Sequence, residues 1–148
     1  MQKELDYFTI EHSYGGNQDW FLDPMMRIGG CAAVTACDSS IYLDCYKGTK
    51  GLYPFEKTAL TKKDYIRFGM KMKPYLKPRR GGVDSLDIYM EGFGQYLADS
   101  GCGSLIMRPL PGTEECGRGK EAFVSQIDKG FPVPCLLLKH KNPLFKDY

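Results

Sequence analysis

Apolar residues recur at helical spacing in four stretches of the chain. The first opens at Cys31: Val34, Cys37, Ile41 and Cys45 fall three or four residues apart. That spacing predicts a helix over about 31–46 with Gly48 as its terminator. The second opens at Thr61, where Thr61-Lys62-Lys63-Asp64 has the form of a capping box with Asp in place of Glu. Tyr65, Phe68, Met72 and Leu76 follow near helical spacing, and Pro74 ends or kinks the run. A third helix is capped by Asp84 or Ser85 and reaches about 98, with Leu86, Tyr89, Met90, Phe93 and Leu97 on its apolar face and Gly101 beyond its end. A fourth, short helix covers 120–129, with Ala122, Phe123 and Ile127 inward and Gly130 as its stop.

Strand signals are fewer and come late. Residues 103–108 read as a short strand closed by Pro109 and Pro111, and VPCLLL at 133–138 is the most strand-like run. Lacking alternation, it is expected to be buried on both faces. Residues 5–13 read as a short strand or an ordered arm. Tyr14-Gly15-Gly16-Asn17 is turn chemistry, since Gly and Asn accept positive φ; Trp20 and Phe21 then return to the core, and Asp23-Pro24 ends the segment. Residues 51–60 form a loop anchored by Tyr53-Pro54-Phe55. Helices first and strands late predict an α+β fold, with a helical N-terminal part packed on a small, mainly antiparallel sheet formed late in the chain. No repeat or linker divides residues 1–148, so a single domain is expected.

Composition removes several function classes. Twenty basic against 18 acidic residues leave a net charge of +2, too balanced for a nucleic-acid or anionic-membrane partner. No stretch has the length and apolarity of a membrane span, and MQKELDYFTIEHSY is not a signal peptide. A cytoplasmic location is expected, with secretion after removal of a signal peptide left open. The six cysteines include no CxxC pair, so neither zinc nor a cofactor is expected, and reduced, mostly buried thiols are. Gly15-Gly16, Gly81-Gly82 and Gly101-x-Gly103 lack the strand–glycine–helix order of a dinucleotide site. The acidic pairs Glu114-Glu115 and Asp84/Asp87 are not placed across a cleft by anything in the sequence.

The candidate chemistry lies at Cys31. Gly29-Gly30 delivers it to the start of a helix. There the dipole and the free N–H groups favour thiolate over thiol and make a nucleophile. Cys37 and Cys45, further along the same helix, read as structural.

Three features in order resemble the papain-like cysteine peptidases, most of all the branch related to double-glycine-leader peptidases. They are the Gln-containing turn Gly16-Asn17-Gln18-Asp19-Trp20, the Gly29-Gly30-Cys31 lead-in to a long helix, and the late Gly130-Phe131-Pro132-Val133. The resemblance implies that Cys31 attacks a peptide or amide carbonyl while its own N–H and the Gln18 amide hold the oxyanion. Ala32 stands where family members usually carry glycine or another small residue. The gap from Gln18 to Cys31 is longer than in papain, so residues 19–26 are expected to form an inserted loop.

The resemblance also implies a histidine base after the cysteine. His12 precedes it, whereas His140 follows by 140 − 31 = 109 residues, with Asn142 and Asp147 as candidates to orient it. A surface histidine between Lys139 and Lys141 is the plainer reading of His140. In the family the histidine strand lies beyond the Gly-x-Pro-Val strand, so the chain reads as a domain incomplete at its C-terminus. The alternative is a minimal variant that uses His140. An apolar strand left at a sheet edge would favour self-association. The competing functional expectation is a catalytically inactive binding or assembly domain on the same scaffold.

Overall fold

A computed structural model describes residues 3–112 and 116–136. The helix expected from Cys31 forms over Cys31–Tyr46 (α2), and Gly48 follows it with φ of +74°. Between Ala32 and Asp44 only Val34, Thr35 and Asp38 are not fully buried. A helix enclosed on nearly every side needs no single apolar stripe. Its Ala, Ser and Cys residues let neighbours approach closely, and Ser40 satisfies its buried hydroxyl on the Ala36 carbonyl at 2.8 Å. The expected stripe is therefore only half right: Cys37 and Ile41 are fully buried, but Val34 is half-buried and Cys45 exposed.

Helix α3 (Lys62–Met72) packs Tyr65, Phe68 and Met72 into the core. Thr61 caps it: Oγ1 accepts the Asp64 N–H at 3.1 Å and the hydroxyl donates to the Asp64 carboxylate at 3.2 Å. Helix α4 (Leu86–Asp99) buries Phe93, Tyr96 and Leu97, and Gly101 with φ of +77° closes it. Tyr96, absent from the predicted face, donates its hydroxyl to the Leu52 carbonyl at 2.5 Å. The loop between α2 and α3 is tied to buried Asp44, which accepts the Tyr53 N–H at 2.9 Å and the Thr49 hydroxyl at 2.6 Å. Tyr53 then stacks edge-on against Phe55 and Phe68.

Helices with one small antiparallel sheet make the described residues α+β in the coarse sense. The sheet, however, is early rather than late. It consists of β1 (Thr9–Ile10) and β2 (Ser13–Tyr14), paired Thr9 with Tyr14 and Ile10 with Ser13. Residues 103–108 are irregular, with Ile106 81% exposed. Residues 133–136 form no strand, and Leu136 is 41% exposed, so the doubly buried strand is not found there; residues 137–138 lie outside the described residues. An apolar run becomes a strand only where a neighbour satisfies its backbone groups. Residues 103–108 instead lay Leu105 and Met107 against the helical core.

The fourth predicted helix begins earlier, as α5 (Cys116–Asp128). Ala122 and Phe123 are exposed, not inward, and Ile127 is half-buried. The chain after α5 is anchored at Gly130 and Phe131, where Tyr42 donates to the Gly130 carbonyl at 3.0 Å and Lys47 lies 4.1 Å from the Phe131 ring centroid. No helix among the described residues is long and apolar enough to cross a membrane.

Candidate functional site

The segment before Cys31 is built from two short elements, not an inserted loop. A 3₁₀ turn at Gln18–Trp20 is capped by Asn17, whose Oδ1 accepts the Asp19 N–H at 2.8 Å. Helix α1 (Pro24–Gly29) then starts where Asp23-Pro24 was expected to end the segment. Asp23 is an N-cap, Pro24 fits the first helical position because its missing N–H would have no partner there, and Asp23 Oδ1 accepts the Met26 N–H at 2.9 Å. The other Asp23 oxygen meets Lys73 Nζ at 2.5 Å and ties α1 to the end of α3. Lys73, then the Met26 N–H, hold the Asp23 carboxyl below its ordinary pKa.

A single residue joins α1 to α2. Gly30 donates its N–H to the Met26 carbonyl at 3.0 Å and accepts the Val34 N–H at 2.9 Å, closing one helix and opening the next. A Cβ on Gly29 would lie 1.8 Å from the Arg79 carbonyl oxygen, and one on Gly30 would lie 2.3 Å from the Met26 carbonyl oxygen. Both obstacles are backbone, so side-chain adjustment cannot relieve them, and the double glycine is a packing requirement.

Cys31 is exposed as the first residue of α2, at the positive end of a 16-residue helix. Gly82, at φ of +76°, borders it: a Cβ there would lie 3.3 Å from the Cys31 Sγ. The thiols that hydrogen-bond among the described residues are Cys102, to the Lys50 carbonyl at 3.7 Å, and Cys135, to the Val133 carbonyl at 3.3 Å. Cys31, Cys37, Cys45, Cys102 and Cys135 are free, and of these five only Cys37 is buried, contrary to the expectation of mostly buried thiols. Burial, then Asp38, push the Cys37 thiol well up; burial also raises Cys45 and Cys135.

The Gln18 side chain reaches the lead-in to Cys31. Its Nε2 donates to the Arg27 carbonyl at 3.2 Å, on the last turn of α1. His12 is exposed in the turn between β1 and β2, beside Glu11 at φ of +55°. His140, Asn142 and Asp147 lie outside the described residues.

The residue that pattern reading missed is Asp38. Its Oδ1 accepts the Tyr65 hydroxyl at 2.7 Å, Oδ2 accepts the Tyr7 hydroxyl at 3.3 Å, and the Gly16 N–H bridges both oxygens at 3.1 and 3.2 Å. Tyr65 also lies 3.2 Å from the Val34 carbonyl, but its single proton belongs to the shorter contact with Asp38. Burial raises the Asp38 carboxyl above its ordinary pKa, against the three hydrogen bonds that lower it. Burial, then Asp38, push Tyr65 well above the usual phenol range. The available signal was a charged residue inside a small-residue helix, together with a double glycine far from any helix end.

Among the described residues, no three His, Cys, Asp or Glu side chains gather as a metal site. Compared with known proteins, the chain matches no family model, no curated protein and no solved structure. Its chemistry therefore rests on the geometry: an accessible thiol at a helix N-terminus, with a side-chain amide tethered to the helix that delivers it.

Proposed function

We propose that the chain carries a cysteine-peptidase-like hydrolase site on a papain-like scaffold, with Cys31 as nucleophile and a peptide or small amide as substrate. The observation that carries this reading is Cys31 itself, the exposed first residue of a buried helix, behind two glycines whose places admit no side chain. The thiolate attacks the substrate carbonyl, the amine leaves with a proton, and water cleaves the thioester to return acid and thiol. Gln18 Nε2 has two N–H groups; with one on Arg27, the other is the donor for the developing oxyanion. His140 is the candidate base, oriented by Asn142 or Asp147.

A second reading, a non-catalytic binding or assembly domain, draws on exposed apolar side chains in the segment that leads to Cys31. Leu22 is 94% exposed and Ile28 59% exposed. Iodoacetamide labelling near neutral pH separates the two readings. Cys31 should label far faster than Cys45 or Cys135, with the excess lost in Cys31→Ser. Labelling that follows exposure alone would leave only the binding reading.

A further inference from the structure

We propose that Asp38 is a positioning residue for the Cys31 site, holding the Gln18 turn in register with the helix that carries the thiol. This rests on the reading of Gln18 as oxyanion donor. Asp38 follows Cys31 by 38 − 31 = 7 residues, two helical turns, which puts it on the same face of α2 about 10 Å further along. Its carboxylate grips the Gly16 N–H with both oxygens. The turn is pressed so closely onto this anchor that a Cβ on Gly15 would lie 2.5 Å from Asp38 Oδ2, and one on Gly16 would lie 1.8 Å from the Tyr65 ring. Gln18 stands two residues beyond Gly16, its amide is tied to Arg27, and Arg27 leads through Gly29-Gly30 to Cys31. The connections form a closed circuit with both ends on α2.

The carboxylate has no counter-charge among the described residues. Their salt bridges are Arg67–Asp64 and Lys73–Asp23, and the groups facing Asp38 are the Gly16 N–H and the hydroxyls of Tyr7 and Tyr65. An apolar residue at 38 would avoid the cost of partly burying a carboxylate without a counter-charge, but it would remove the Asp38 hydrogen bonds that hold the turn to α2. The glycine pair, the two tyrosines and the part-buried acid are one device, and its output is the position of Gln18.

Two reactions of the full chain test this. With p-nitrophenyl acetate the thiolate forms a C–S bond as the C–O bond to p-nitrophenolate breaks, through an intermediate carrying an oxyanion. With iodoacetamide the C–S bond forms as C–I breaks and iodide leaves, with no oxyanion. Gln18→Ala and Asp38→Ala should each slow acyl transfer to Cys31 by roughly 10–100-fold, with alkylation of Cys31 unchanged. Asp38→Asn and Tyr65→Phe should show smaller losses of the same selective kind, and they carry the test if Asp38→Ala does not fold. The inference is overturned if Gln18→Ala is selectively slowed while the Asp38 and Tyr65 variants are not, or if those variants slow both reactions equally. A wild-type chain whose acyl transfer is no faster than that of Cys31→Ser overturns the hydrolase reading, and this inference with it.

Discussion

Gly16→Ala perturbs the turn at its tightest point. The new methyl would lie 1.8 Å from Tyr65 Cζ, 2.0 Å from its hydroxyl oxygen and 2.2 Å from Cε1, where about 3.5–4.0 Å is the normal approach. Tyr65 is fully buried and meets Trp20 edge-on at 5.6 Å, with Phe21 at 6.4 Å. The ring therefore has no free space to enter. Overpacking of this kind costs about 1–3 kcal/mol. Pulling the Tyr65 hydroxyl from the Asp38 carboxylate removes a charge-assisted hydrogen bond of about 1.5–3 kcal/mol. Together they predict a loss of roughly 2.5–6 kcal/mol, a large share of the 5–15 kcal/mol typical of a domain. With a urea m-value of about 2 kcal/mol/M, the unfolding midpoint should fall by roughly 1–3 M. Gly117→Ala is the control: among the described residues nothing beyond its own stretch of helix lies within 4 Å of the new methyl, and alanine favours a helix, so the midpoint should hold or rise. A Gly16→Ala midpoint equal to wild type would refute the packing of Tyr65 against this turn.

Three further outcomes follow from single contacts. Because burial raises the Asp38 carboxyl above its ordinary 3.8, its contribution to stability is fully present below the unfolded value and is lost as pH rises through the folded one. The stability of wild type relative to Asp38→Asn, from urea titrations, should therefore be greater at about pH 3 than at about pH 7; a gap that widens towards neutrality would contradict this. The Tyr53 hydroxyl is buried with no hydrogen-bond partner among the described residues, and burial pushes its pKa up to about 12, so Tyr53→Phe should leave Tm unchanged or raise it. Gly82→Ala places a Cβ at positive φ and 3.3 Å from the Cys31 Sγ, so it should cost about 1–2 kcal/mol and slow iodoacetamide at Cys31, whereas Gly81→Ala, with open space at its Cβ, should do neither.

Much of the helical framework was legible because its signals are local. Thr61 caps, Gly48, Gly101 and Gly130 adopt positive φ after helices, and the spacing of Tyr65, Phe68 and Met72 marks one buried face. What misled depends on distant partners. Residues 103–108 and 133–136 have the apolar composition of strands, but among the described residues only β1 and β2 pair. Asp23-Pro24 has two meanings, stop or N-cap, and only the following Met26 N–H decides between them. Cys31 could be placed from its neighbours alone. Asp38 could not, since its meaning comes from Gly16 and Tyr65, 22 residues before it and 27 after it.

The most direct test of the nucleophile is the acyl group it should retain. After brief exposure of the native chain to p-nitrophenyl acetate and an acid quench, peptide mass spectrometry should find one acetyl thioester, on the peptide holding Cys31, and none on that position in Cys31→Ser. Acetylation spread over Cys31, Cys45 and Cys135 in proportion to their exposure would contradict a nucleophile at the head of α2.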